Sequence, residues 1–183
     1  MPKNYRLHTP PVNLNGSILE YVDSLKYLGV ILSSNFNDNA DISRQLRSLY
    51  TTSNILRRKF SCCSLSVKLH LLESYCCNFY CASLWCNYTK QIYYKFEVAY
   101  NNMFRFILGF KPRDSAGFKP RDSASFMFAN NRIDSFDARI RKTCFNFRQR
   151  LLTSSNNVII SSISNWWVTN NYMWSRWTNL LYI

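Results

Sequence analysis

A chain of 183 residues that is 47% hydrophobic and 16% aromatic has apolar material for one domain with a core, or for a small element beside a helical domain, which excludes wholesale disorder. Lys and Arg number 23 against ten acids, a formal net charge of +13. Such a surface attracts polyanions, because neutralising phosphates releases condensed counterions.

The charge is uneven. From Ile42 to Arg113 there are eleven basic residues and only two acids, Glu73 and Glu97. Nucleic acid is the partner this favours, with an acidic membrane surface as a weaker option and a merely basic soluble protein as the bland one. A membrane span is not expected: the most apolar stretch, Leu69 to Trp85, is interrupted by His70, Glu73 and Asn78, short of the roughly 20 apolar residues a bilayer requires. Seven cysteines are an odd number, and Met1-Pro2-Lys3-Asn4-Tyr5-Arg6 lacks the apolar run of a signal peptide. Reduced thiols in an intracellular compartment, cytoplasmic or nuclear, are the expectation.

In chain order, Asn15-Gly16 marks a hairpin turn between Val12-Asn13-Leu14 and Ser17-Ile18-Leu19-Glu20-Tyr21, and Lys26 to Leu32 predicts a third strand. Three short strands bury little alone and need a partner sheet or the helices that follow. A helix is expected to start between Asp38 and Asp41, where Asn and Asp cap free amides. Ile42, Leu46, Leu49, Leu56 and Phe60 fill one arc of it, with Ser53 in the same series, and Arg44, Arg47 and Arg58 fall opposite. A second helix is expected from Ser64 or Ser66 through Val67, Leu71, Tyr75, Phe79, Ala82 and Trp85. The third spans Lys90 to Leu108, with Ile92, Phe96, Ala99, Met103 and Ile107 inward and Gly109 as the stop.

Gly109-Phe110-Lys111-Pro112-Arg113-Asp114-Ser115-Ala116 then recurs unchanged as Gly117-Phe118-Lys119-Pro120-Arg121-Asp122-Ser123-Ala124. Two copies of eight residues are too few and too short for a solenoid. A recent tandem duplication is the simplest account, tolerated as a surface loop or preserved in a coding region that is decaying. Ser123 or Ser125 caps a short helix through Phe128. Asp134 or Ser135 opens a basic one with Phe136, Ile140, Cys144, Phe147 and Leu151 on one side. The Ser/Asn-rich tail carries Trp166, Trp167, Trp174 and Trp177, which suit core cover better than base stacking. The expected fold is α+β, mainly α: a short N-terminal antiparallel β element followed by a helical bundle.

Catalytic patterns are missing. Two-metal nucleotide transfer needs carboxylates able to hold two cations about 4 Å apart, and no two of the ten acids are adjacent. Asp38, Asp41, Asp134 and Asp137 sit at expected helix starts, where capping and dipole pairing are the ordinary work. His8 and His70 are the only histidines, and neither a Gly-rich phosphate loop nor a G-x-S-x-G elbow occurs. Cys76, Cys77, Cys81 and Cys86 with His70 superficially suggest zinc, yet they contain no C-x2-C pair and a helix would spread the thiols over several faces. Buried free cysteines are the better reading. No metal, cofactor or small-molecule substrate is expected.

The run from Leu19 to Leu32, with Lys26-Tyr27-Leu28-Gly29-Val30-Ile31-Leu32 at its end and an arginine-bearing helix after it, resembles the segment just past the catalytic core in reverse transcriptases of non-LTR (jockey-like) retrotransposons. There a [KR]-Y-L-G-[VI]-x-[IL] strand closes the palm and a helical thumb follows. The resemblance continues through Ile107-Leu108-Gly109, Ser125-Phe126-Met127-Phe128 and Ala138-Arg139-Ile140-Arg141-Lys142, covering Val12 to Leu152. The duplicated repeat departs from the family pattern. The family's metal-binding F/Y-x-D-D hairpin lies upstream of the matching segment.

The resemblance implies a palm remnant over residues 1–33, a thumb-like bundle over 34–108, the repeat loop at 109–124 and a C-terminal helical segment at 125–183. It implies Lys26, Tyr27, Leu28 and Gly29 as primer-grip residues, although Tyr27 and Leu28 also suit a sheet core and Gly29 a close-packing position. Arg44, Arg47 and Arg58 are the candidate contacts to the phosphate backbone of an RNA or DNA template-primer. It further implies a polymerase fragment that catalyses nothing alone and whose palm belongs to a longer product. Two rivals stand beside it: a free-standing basic helical RNA- or DNA-binding module, and a non-functional pseudogene product that does not hold a fold.

Overall fold

The computed structural model describes residues 10–110 and 123–164, together with Ser175. The N-terminus, the central part of the duplicated repeat and the tryptophans of the tail lie outside the described residues. The fold is α+β and mainly α.

Two hairpins come first. Strands β1 (Asn13–Leu14) and β2 (Ser17–Ile18) pair antiparallel across Asn15-Gly16, whose φ angles of 51° and 84° suit the type I′ turn that Asn-Gly favours. Strands β3 (Ser24–Tyr27) and β4 (Val30–Ser33) form the second. Here the expected single strand from Lys26 to Leu32 is corrected: Leu28 and Gly29 are a two-residue turn with φ of 46° and 83°, and the chain reverses on them. The apolar run reads as one strand because Leu28 continues it, yet leucine here occupies a left-handed conformation that L-residues adopt at a cost.

Helix α1 (Asn39–Lys59) starts where expected, and Ile42, Gln45 and Leu49 face inward. Helix α2 (Leu65–Tyr75) is shorter than its periodicity suggests. Instead of continuing to Trp85 it stops at Tyr75; Cys81 takes φ of 63°, and a single 3-10 turn covers Ala82–Leu84. Phe79, Ala82 and Trp85 are buried as their spacing implied, but from a folded-back segment rather than a helix face. The phase of α2 is also corrected. Leu72 is its buried residue, while Val67 and Tyr75 are exposed.

Helix α3 (Lys90–Leu108) runs over its expected span, with Thr89 Oγ1 accepting from the Ile92 amide at its start. Helices α4 (Ala124–Asn131) and α5 (Phe136–Leu152) are capped by Ser123 and Ser135, whose hydroxyls accept from the Phe126 and Ala138 amides. Helix α6 (Asn157–Ser164) follows and buries nothing.

One core joins α1 to α5. Phe79, Phe96, Tyr100, Phe104, Phe128 and Phe136 meet edge-on or tilted, with centroids 4.9 Å apart for Phe79–Phe96 and 5.0 Å for Phe96–Phe136, the arrangement that aromatic quadrupoles prefer. Residues on both sides of the repeat contribute, so segments 34–108 and 125–152 share this core. The hairpins add none of its fully buried residues.

Candidate nucleic-acid interface

A buried carboxylate ties the hairpins to the helices. Asp41, 1% exposed in the first turn of α1, accepts three hydrogen bonds: from the Ile31 amide of β4 at 3.0 Å, from Trp85 Nε1 at 2.9 Å and from Arg44 Nε at 2.7 Å. Asp38, one turn earlier, accepts from the amides of Cys86 and Asn87, and Asn39 Oδ1 from the amide of Thr89. The expectation that these acids cap their own helix is therefore corrected. Asp38 holds the N-cap position without a side-chain capping bond, and both carboxylates reach across the fold instead. Burying a carboxylate is tolerable because donors surround it.

This arrangement decides what each candidate arginine can do. Arg44 is drawn onto Asp41, so its guanidinium is partly occupied by a structural ion pair. Arg47 and Arg58 are exposed, and Arg47 Nε donates to the Ser43 carbonyl at 3.3 Å. Among the described residues neither meets a carboxylate.

Lys26, Tyr27, Leu28 and Gly29 are brought together at the end of the second hairpin. Tyr27 and Leu28 are exposed, Leu28 by 72%, so the sheet-core reading of these two is corrected: the hairpin packs on α1 through β4, and these two residues lie at its turn. Gly29 is half-buried beside Tyr80. A Cβ there would meet Tyr80 Cε1 at 3.7 Å, ordinary contact, so its positive φ and not crowding calls for glycine.

A groove the sequence reading missed runs between α1 and α3, with a volume of about 190 Å³. Leu49, Ala99 and Met103 supply apolar lining, and Tyr50, Asn54, Arg57, Asn102 and Phe106 supply aromatic and polar groups. The Arg57 guanidinium lies 4.8 Å from the centroid of the Phe106 ring, a cation-π contact joining the two helices. Arg47, Tyr50, Asn54, Arg57 and Arg58 recur at intervals of one, three and four residues, which lays them along one side of α1. Two of the three expected arginines thus fall on this stripe, and Arg57 joins them. The i, i+3, i+4 recurrence of Arg47, Tyr50, Asn54 and Arg57/Arg58 was the available signal. At about 100° per residue Arg57 borders the apolar arc of α1.

The other basic helix is more internally committed. On α5, Arg139 pairs with Glu73 at 3.3 Å, Lys142 with Asp134 at 2.6 Å, and Arg150 lies over the Phe147 ring. Asp137 accepts from the Tyr93 hydroxyl at 2.7 Å, and burial together with that carboxylate holds the phenol protonated. All seven cysteines are free thiols. Burial pushes Cys76 and Cys144 up to about 11 and Cys77 to about 12, which suits inert core thiols rather than nucleophiles. Among the described residues no group of three or more His, Cys, Asp or Glu side chains converges to hold a metal ion, and no helix is long and apolar enough to cross a membrane. No protein-family model, curated protein or solved structure matches the chain.

Proposed function

We propose that the chain is the thumb-bearing C-terminal part of a non-LTR reverse transcriptase, that it catalyses nothing by itself, and that its own activity is to hold nucleic acid by the phosphates along the outer side of α1. The observation that carries the binding is the exposed stripe of Arg47, Arg57 and Arg58, free of carboxylate partners among the described residues. The polymerase ancestry is supported by the Lys26-Tyr27-Leu28-Gly29 segment, which ends in an exposed turn and leads within ten residues into that helix. In this reading the turn approaches a primer end while α1 follows the duplex backbone.

The test is titration of a labelled template-primer at rising salt. Each phosphate neutralised contributes about 0.9 to the slope of log affinity against log salt on duplex DNA. Reversing Arg47 and Arg58 to Glu flattens that slope, and an unchanged slope contradicts the assignment. Extension of the primer by the purified chain with Mg2+ and nucleotides contradicts the second half of the proposal.

A free-standing basic helical module is the second reading, favoured by the fact that α1 to α5 complete their core without the hairpins. Sequencing the transcript and genomic DNA upstream of Met1 separates the two. An open frame carrying F/Y-x-D-D supports the polymerase, and a stop codon or frameshift leaves the module.

A further inference from the structure

The groove between α1 and α3 has features that phosphate binding along α1 does not use. Phosphates are met by exposed cations alone, yet here Phe106, 60% exposed, and Tyr50, half-exposed, present aromatic surface on facing helices. These rings lie beside the arginines of α1, where aromatic surface can meet a flat apolar group of a partner that the cations hold. The lining contains no carboxylate, histidine or cysteine, so it offers neither acid-base chemistry nor a metal site. Its volume of about 190 Å³ is below the roughly 300–1,000 Å³ of pockets that enclose whole small-molecule ligands. It suits one planar group inserted from a larger partner.

We infer that this groove is a stacking site for one unpaired base of single-stranded RNA or DNA, a reading that rests on phosphate binding along α1. Phe106 and Tyr50 supply the π faces. Asn54 and Asn102, on opposite helices, supply amides able to meet a base edge, and Leu49, Ala99 and Met103 exclude water beneath it. Arg57 lies over the Phe106 ring, where it adds a cation to the stack or turns to the adjoining phosphate. Arg47 and Arg58 on the same side of α1 guide the strand past the groove. A duplex keeps its base faces stacked internally, so this site distinguishes single strands from duplexes.

The experiment is fluorescence anisotropy with a labelled oligothymidylate and, in parallel, a duplex of the same length, using the wild-type chain and the Phe106→Ala, Phe106→Trp and Tyr50→Ala variants. Both positions are exposed, and a thermal melt checks that each variant retains its fold. Removing one stacking partner weakens single-strand binding about 5- to 150-fold. The salt slope should not change, the duplex should bind as before, and Phe106→Trp should retain the affinity. Substitution of 5-bromouracil for one thymine should give photocrosslinks at Tyr50 or Phe106. Salt-dependent binding that ignores Phe106→Ala, an equal loss on duplex and single strand, or equal competition by polyglutamate of matched charge overturns the stacking site. Loss of all oligonucleotide binding by the wild-type chain instead overturns the underlying phosphate-binding reading, and the stacking site with it.

Discussion

The two hairpins and the helical array solve opposite problems. Every residue of β1, β2 and β3 is exposed, and the second hairpin turns on a leucine in a left-handed conformation, whereas α3 buries six residues and shares a continuous core with α1, the 79–85 segment, α4 and α5. A two-stranded pair has little stability of its own, so the second hairpin borrows order from the helices, through β4 against α1 and the Ile31 amide bonded to Asp41. The lesson is that the array holds the core and the hairpins lie against its surface.

The comparison breaks most sharply in the core. Phe96→Ala removes a fully buried ring that touches Phe79, Trp85 and Phe136 and should cost about 3–5 kcal/mol in chemical denaturation. A loss below 1 kcal/mol would mean that the aromatic cluster does not hold the fold. Asp41→Ala strands the buried Trp85 indole N–H, at about 1–3 kcal/mol for a buried donor left without an acceptor, and releases the half-buried Ile31 amide at a smaller cost. Its effect should be regional as well, with amide exchange accelerating over β3 and β4 more than over α3.

Gly29→Ala places a Cβ at φ of 83° and should cost about 1–2 kcal/mol, confined to the second hairpin. Exchange of the Ile31 amide reads it, and an unchanged rate would contradict the turn geometry. Leu28→Asn works in the opposite sense, because asparagine accepts the first position of a type I′ turn: a gain of a few tenths to about 1 kcal/mol in the same hairpin is expected. The smallest effect near neutrality is the thiol contribution. Cys76, Cys77 and Cys144 are raised from 9.0 to about 11, 12 and 11, so the unfolded chain releases these protons first as pH rises. Stability should be insensitive to them below pH 9 and should fall between pH 9 and about 12, and replacing Cys144 with Ala should shallow that fall.

How much was legible follows from which interactions are local. Helix α3 could be read end to end because its cap at Thr89, its apolar face and Gly109 are all encoded within a few residues of where they act. Ahead of α4 and α5 the sequence offers Ser123 or Ser125 and Asp134 or Ser135, and the fold uses Ser123 and Ser135. The stop at Tyr75 was hidden: Phe79, Ala82 and Trp85 keep helical spacing, and only their burial against α3 and α5 from a folded-back segment reveals the break. Leu28-Gly29 hid its turn inside an apolar run. Asp41 could not be separated from a helix cap, since the Trp85 indole it binds lies 44 residues away. Of the candidate site, the basic side of α1 was legible. Capture of Arg44 by Asp41 and the groove with Phe106 needed the packing of α1 on α3.

Hydrogen exchange of the whole chain, with and without a template-primer carrying a single-stranded overhang, tests the division of labour most directly. The account predicts slow amides in α3 and α5 and fast ones in β1 to β3 for the free chain, then added protection over residues 47–58 of α1 and around Asn102 and Phe106. Fast exchange throughout the helices, or a footprint confined to α5, would contradict it.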